Sequence, residues 1–173
     1  AGGEPMTVAL MPTVMNPRDV DYLERQIGGG LILATREQRR PILALLKPED
    51  FTTPASRALV GALLYAEEHH LDANQVTIPD IATKAGYIRA KDRGRMGVFV
   101  SDLVTPESTL GPAALTYAYS LIEASSRRKA HEHLERLSQA AETVPSDEWE
   151  NALQATRDAL SDLAERLERA ATV

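Results

Sequence analysis

A run of three glycines, Gly28-Gly29-Gly30, is the first stretch of this sequence with the make-up of a phosphate cradle, in which backbone N–H groups approach an anion closely. Such a loop also needs a Lys followed by Ser or Thr at fixed spacing, and Gly-x-x-x-x-Gly-Lys-Ser/Thr occurs nowhere in the chain. No ATP or other cofactor is therefore expected. The histidines offer no metal site either. His69 and His70 are neighbours at a helix end and point in different directions, and His131 and His133 lie two apart on a helix and do not share a face. No nucleophile-base set or carboxylate pair stands out, so catalytic, cofactor-binding and metal-ligating residues are all read as none, and the chain is expected not to be an enzyme. One charged cluster remains. Lys84, Arg89, Lys91, Arg93 and Arg95 face a single nearby acid, Asp92, and read either as a solvated loop or as a contact with an acidic partner or nucleic acid.

Composition narrows the partners. The net charge of −6 argues against a protein whose main work is gripping phosphate backbones. The C-terminal part sharpens this, with seven Lys and Arg against eleven Asp and Glu from Pro112 to Val173. Direct nucleic-acid binding is expected to be weak at most. The absence of cysteine fits a reducing compartment, and neither a long apolar run nor a basic-then-apolar leader suggests a membrane. A cytoplasmic protein with no membrane contact is the expectation.

The elements that must position any interaction surface are helical. Aromatic residues are scarce, strand-like alternation is nearly absent, and the sequence is rich in Ala, Leu, Glu and Arg, so the fold class is all-α. Residues 1–15 read as a disordered tail, 16–110 as a globular head of about five short helices, and 111–173 as a long antiparallel helical hairpin. In the hairpin, Gly111 and Pro112 open a helix that runs to Thr143 without an interrupting Gly or Pro, about 45 Å long. Val144-Pro145 breaks it and Ser146 caps a second helix, with Asp147, Glu148 and Glu150 at the positive end of its dipole.

The second helix spaces Trp149, Leu153, Thr156, Leu160, Leu163, Leu167 and Ala170 four and three apart, the pattern of a coiled-coil seam. The first answers with Leu115, Ala118 and Ile122, a polar gap at residues 125–129, then Ala130, Leu134, Leu137, Ala141 and Val144. Two helices enclose no core, so their apolar edges need either the rest of the chain or a second copy. Leu134, Leu137, Trp149, Leu153, Leu160, Leu163 and Leu167 are the candidate oligomer interface.

In the head, Asn16-Pro17 opens a helix to about Ala34 whose stripe is Val20, Leu23, Ile27 and Leu31; the glycines inside it would be explained by close approach of another helix. Thr35 with Gln38 forms a capping box for a helix ending near Leu46, with Pro41 in or near its first turn. Lys47-Pro48-Glu49-Asp50-Phe51 is a turn, Thr53-Pro54 starts a helix to about His69, Val76 to Gly86 is a short helix closed by its glycine, and Met96 to Val104 is another. Val76 to Gly86 also looks like the first helix and turn of a helix-turn-helix. Tyr87 to Gly97, with two glycines and no apolar stripe, does not read as its recognition helix.

The order of these signals resembles the N-terminal domain of DnaB-family replicative helicases. The resemblance runs from about Arg18 to Arg169 and rests on Asp21-Tyr-Leu-Glu-Arg-Gln-Ile-Gly-Gly-Gly-Leu-Ile-Leu33, Leu45-Leu-Lys-Pro-Glu-Asp-Phe51, Pro54 to Leu64, Val76-Thr-Ile-Pro-Asp-Ile-Ala82 and the hairpin. Its most specific parts are the glycines before an aliphatic run and the Pro-Glu-Asp-Phe turn. The resemblance implies a collar domain whose hairpins pair between subunits, as a homodimer and then a trimer of dimers, and whose partner is primase or another DNA-replication protein. It implies an ATP-dependent helicase motor in a full-length parent; this chain carries no motor signature. A third glycine stands where the family usually has two. A helix-turn-helix DNA-binding module or a free-standing adaptor is the alternative.

Overall fold

The computed structural model describes residues 17–105, 108, 110–111 and 113–172, and side chains from residue 19 onward. The tail expected over 1–15, the Asn16 cap and Pro112 lie outside the described residues. Those that are described form an all-helical head and a long helical hairpin, with no strand among them.

The head contains α1 (Pro17–Leu33), α2 (Arg36–Leu43), α3 (Pro54–Glu68), α4 (Ile78–Lys84) and α5 (Arg93–Leu103), with 3-10 turns at Pro48–Asp50 and Ala90–Asp92. Local signals set most of the boundaries. Thr35 accepts the Gln38 backbone N–H while the Gln38 side chain accepts the Thr35 N–H, so the capping box at the start of α2 is present on both sides. Thr53 caps α3 by accepting the Ser56 N–H at 3.0 Å, with Pro54 in the first turn. Gly86 takes a φ of 80°, the left-handed conformation that ends a helix with least strain in glycine.

Three boundaries differ from the sequence reading. α2 stops at Leu43 rather than Leu46, and Pro41 is inside it in the second turn. α4 starts at Ile78, leaving Val76 exposed in the preceding turn. α5 starts at Arg93 rather than Met96, so Gly94 and Gly97 are both helical. Glycine disfavours that helix locally, but burial of Met96, Val100 and Leu103 along one face supplies the packing that overrides propensity.

α1 runs through the middle of the head, against α3, α5 and the start of α6 (Ala114–Thr143). Ile27, Leu31, Phe51, Leu59, Leu63, Ile78, Val100, Leu121 and Ile122 make up the most enclosed part of the core. The glycines of α1 allow this crowding. A Cβ on Gly29 would fall inside van der Waals contact of the Leu103 carbonyl oxygen and about 2.5 Å from Ser108 Oγ, and a Cβ on Gly30 would meet the Leu110 side chain at 2.8 Å. The close neighbour is thus the end of α5 and the segment after it.

The hairpin pairs α6 with α7 (Ser146–Ala171). α6 begins at Ala114 rather than at Pro112, and Ala113, not Gly111, holds its cap position; Ala114 donates to the Gly111 carbonyl at 3.0 Å in the turn that leads into it. Ser146 does not cap α7: it is the first residue of the helix, Pro145 occupies the cap position, and no side chain accepts there. The stretch read as a polar gap in α6 is also corrected. Ser125 and Ser126 are buried, because this part of α6 is packed on the head.

Candidate interaction surfaces

The first surface is built where the Pro-Glu-Asp-Phe turn meets the hairpin. The 3-10 turn aims Asp50 inward, and the side chain has 0% exposure. Its two carboxylate oxygens accept from both terminal nitrogens of Arg166 on α7, one bond at 2.6 Å. Ser125 Oγ on α6 donates at 3.1 Å, the Lys47 backbone N–H at 2.8 Å, and the Lys129 ammonium lies 3.9 Å away. Arg166 also donates to the Leu45 carbonyl at 3.1 Å, and Arg128 to the carbonyls of Glu49 and Asp50 at 3.3 and 3.2 Å. One buried carboxylate therefore ties the head to both hairpin helices. Burial lowers the Lys129 ammonium below the ordinary lysine range, against the opposing pull of Asp50 and Glu49. The sequence reading missed this node. The turn was recognised, but nothing local names a partner 116 residues away.

The second surface lies on the half of the hairpin beyond the head. Along and just after the outer part of α6 the half-buried residues are Ala130, His133, Leu137, Ala140 and Val144, and in α7 Trp149, Ala152, Thr156, Ala159, Leu160 and Leu163, at three- and four-residue intervals apart from the adjacent Ala159 and Leu160. These stripes face the partner helix. Leu134 and Leu153 lie off them and are 51% and 42% exposed. Together with Leu137, Thr156, Leu160 and Ala164 they line an open groove of about 480 Å³ along the hairpin. The seven candidate interface residues thus divide. Leu134, Leu137, Leu153 and Leu160 line the groove, Trp149 and Leu163 are half-buried outside it, and Leu167 packs against the core of the head.

The third surface is on the head. Tyr87, Ile88, Met96 and Phe99, with Pro54 and Ala55 at the start of α3, line a groove of about 490 Å³. Tyr87 is held by close fit: a Cβ on Gly61 would collide with its ring, so only a residue without one gives the aromatic ring its seat. The ring is nevertheless 45% exposed.

The five basic residues do not act as one patch. Arg89 and Arg95 border the groove, and Arg89 Nε also pairs with Asp92 at 3.0 Å. Arg93 pairs through two nitrogens with Asp80 on α4, and its hydrogen bond holds the Asp80 carboxyl below the usual carboxylate range. Lys84 closes α4 and Lys91 lies in the 3-10 turn, both exposed and away from the groove lining. A helix does follow α4, but eight residues separate Lys84 from Arg93, against the three or four of a helix-turn-helix turn, and the inner face of α5 is spent on the core.

The histidines have local roles. His69 stacks on Tyr65 with ring centroids 3.9 Å apart, His70 Nδ1 lies 2.6 Å from an Arg36 terminal nitrogen, and His131 pairs with Glu135 at 3.1 Å. No described helix is long and apolar enough to cross a membrane. Compared with protein-family models, curated proteins and solved structures, the chain matches none of them.

Proposed function

We propose that this chain is a structural and interaction module without catalytic chemistry, in which the hairpin joins copies of the chain and the head docks a replication partner such as primase. The observation that carries the reading is the open groove lined by Leu134, Leu137, Leu153 and Leu160, an apolar surface on helices already paired with each other. Each of these leucines is about half exposed or less, so burying what remains against a second copy contributes about 1 kcal/mol apiece, and the whole groove must be covered to offset the entropic cost of association. The resemblance to the N-terminal domain of DnaB-family helicases supports the same division of labour, with the hairpins pairing as dimers and then as a trimer of dimers.

Light scattering coupled to size exclusion tests it. The expected result is a dimer or larger species at micromolar concentration, converted to monomer by Leu134→Asp or Leu153→Asp. Leu160→Asp should act in the same direction. It also intrudes on the internal seam, so the two exposed positions are the cleaner probes. A wild-type monomer throughout that range sinks the assembly claim.

A further inference from the structure

The head groove combines apolar and aromatic walls with two arginines at its border. Its walls are Tyr87, Ile88, Met96 and Phe99, and its volume of about 490 Å³ is within the usual range for pockets that enclose a small ligand or a large side chain. Tyr87 is fixed by Gly61 yet half open, so the wall is in place before anything binds. The charge around this cavity is inverted relative to the molecule. The chain carries −6, whereas the groove is bordered by two cations, Arg89 and Arg95, and one acid, Asp92, which pairs with Arg89. The first turn of α3, at Pro54 and Ala55, adds the positive end of a fifteen-residue helix.

We propose that this groove is the docking site for a partner-protein segment that presents one aromatic or branched aliphatic side chain flanked by Asp or Glu. The apolar side chain fills the space between Tyr87, Met96 and Phe99, and the flanking carboxylates meet Arg89, Arg95 and the start of α3. Charge complementarity selects this occupant. A second copy carries a segment of this kind at Asp147-Glu148-Trp149-Glu150, but its Trp149 is half-buried on the stripe of α7 that faces α6 and is not free to enter the groove. Nucleic acid fits less well, because only Arg89 and Arg95 border the groove and its other walls, Tyr87, Ile88, Met96 and Phe99, are largely apolar, whereas a phosphate backbone needs a row of cations. The inference rests on the proposed docking role of the head and names the place and the chemistry of that docking.

The probe is a labelled seven-residue peptide with adjacent Phe and Leu between aspartates, followed by fluorescence anisotropy with the full chain. Controls are the same peptide with Lys for Asp, and with Ala for Phe and Leu. The expected result is binding at about 0.01–0.5 mM that weakens with salt, is absent in both control peptides, and falls about tenfold in the Arg89→Glu, Arg95→Glu double variant. Ala55→Trp, which fills the groove without removing a charge, should abolish it, with circular dichroism checking the fold. Binding that ignores these changes overturns the groove but leaves docking elsewhere on the head. No binding up to about 1 mM likewise overturns the groove and leaves docking elsewhere on the head. A single-stranded DNA 15-mer bound more tightly and with the same variant sensitivity assigns the groove to nucleic acid and defeats the proposal. A change of oligomeric state in Ala55→Trp assigns it to self-association and does the same. The hairpin reading is scored separately by light scattering, so the two can fail independently.

Discussion

The two ends of the hairpin reverse the ordinary rule of burial. Where α6 and α7 meet the head, a carboxylate, a guanidinium and two serines are enclosed. Farther out on the same two helices, Leu134 and Leu153 lie in water. Buried charges are weak sources of net stability, but leaving one unpaired is costly, so the near end is fixed in one geometry. An exposed apolar groove does the opposite and specifies nothing until something covers it. The contrast separates a finished contact, between head and hairpin, from an unfinished one.

Removing the carboxylate tests the finished contact most severely. Asp50→Ala leaves Arg166 buried without its partner and should cost about 3–5 kcal/mol, lowering the melting temperature by about 10 °C or more. Asp50→Leu combined with Arg166→Met should recover part of that loss, because the Arg166 charge is no longer stranded, although Lys129, the Lys47 N–H and Ser125 still lose their acceptor. If Asp50→Ala melts within a degree or two of wild type, the near end is not held by this node and the contrast collapses. Gly29→Ala comes next. Its Cβ would press on the Leu103 carbonyl and Ser108, and the expected loss is about 1–3 kcal/mol by thermal or denaturant unfolding, in spite of the better helix propensity of alanine.

These sites also show what was legible in the sequence. The all-helical class, the hairpin and the caps at Thr35, Thr53 and Gly86 were readable because each depends on residues within one or two turns. The start of α5 was not, since Gly94 and Gly97 argue locally against a helix that only burial of Met96 and Val100 sustains. Ser125 and Ser126 read only as part of a polar gap in the seam, because a polar residue reveals its partner only in space. At the distal end the heptad announced an apolar face. It could not separate the stripe that closes the hairpin from the groove beside it, because both recur at nearly the same period.

The distal end should therefore tolerate truncation in a way the near end does not. Leu134→Ala with Leu153→Ala removes side chains that are about half exposed, and in dilute protein, where the chain is monomeric, the unfolding free energy should move by about 1 kcal/mol or less. At concentrations where copies associate, the same pair should lower the apparent melting temperature, since association stabilises the folded state by mass action. A large loss in the dilute monomer would mean that these leucines already belong to the core of a single chain.

The smallest effect is expected at Lys129, and its sign distinguishes two accounts of the near end. Lys129 is 3.9 Å from Asp50, with Glu49, Arg166 and Lys47 also acting on it, and desolvation is the largest influence, lowering its pKa. The unfolded chain then binds the proton more readily than the folded one. The resulting penalty is present in full below the folded-state pKa and relaxes as pH rises through it towards the ordinary lysine value. Lys129→Met should accordingly melt slightly above wild type at neutral pH, by a degree or two, and the gap should close as the pH approaches that of free lysine. If the variant instead melts below wild type at neutral pH and the gap closes only as the pH rises past the ordinary lysine value, the attraction of Asp50 outweighs the cost of burial. The node would then be a three-charge cluster to which Lys129 contributes, rather than an Asp50–Arg166 pair that merely tolerates a third charge.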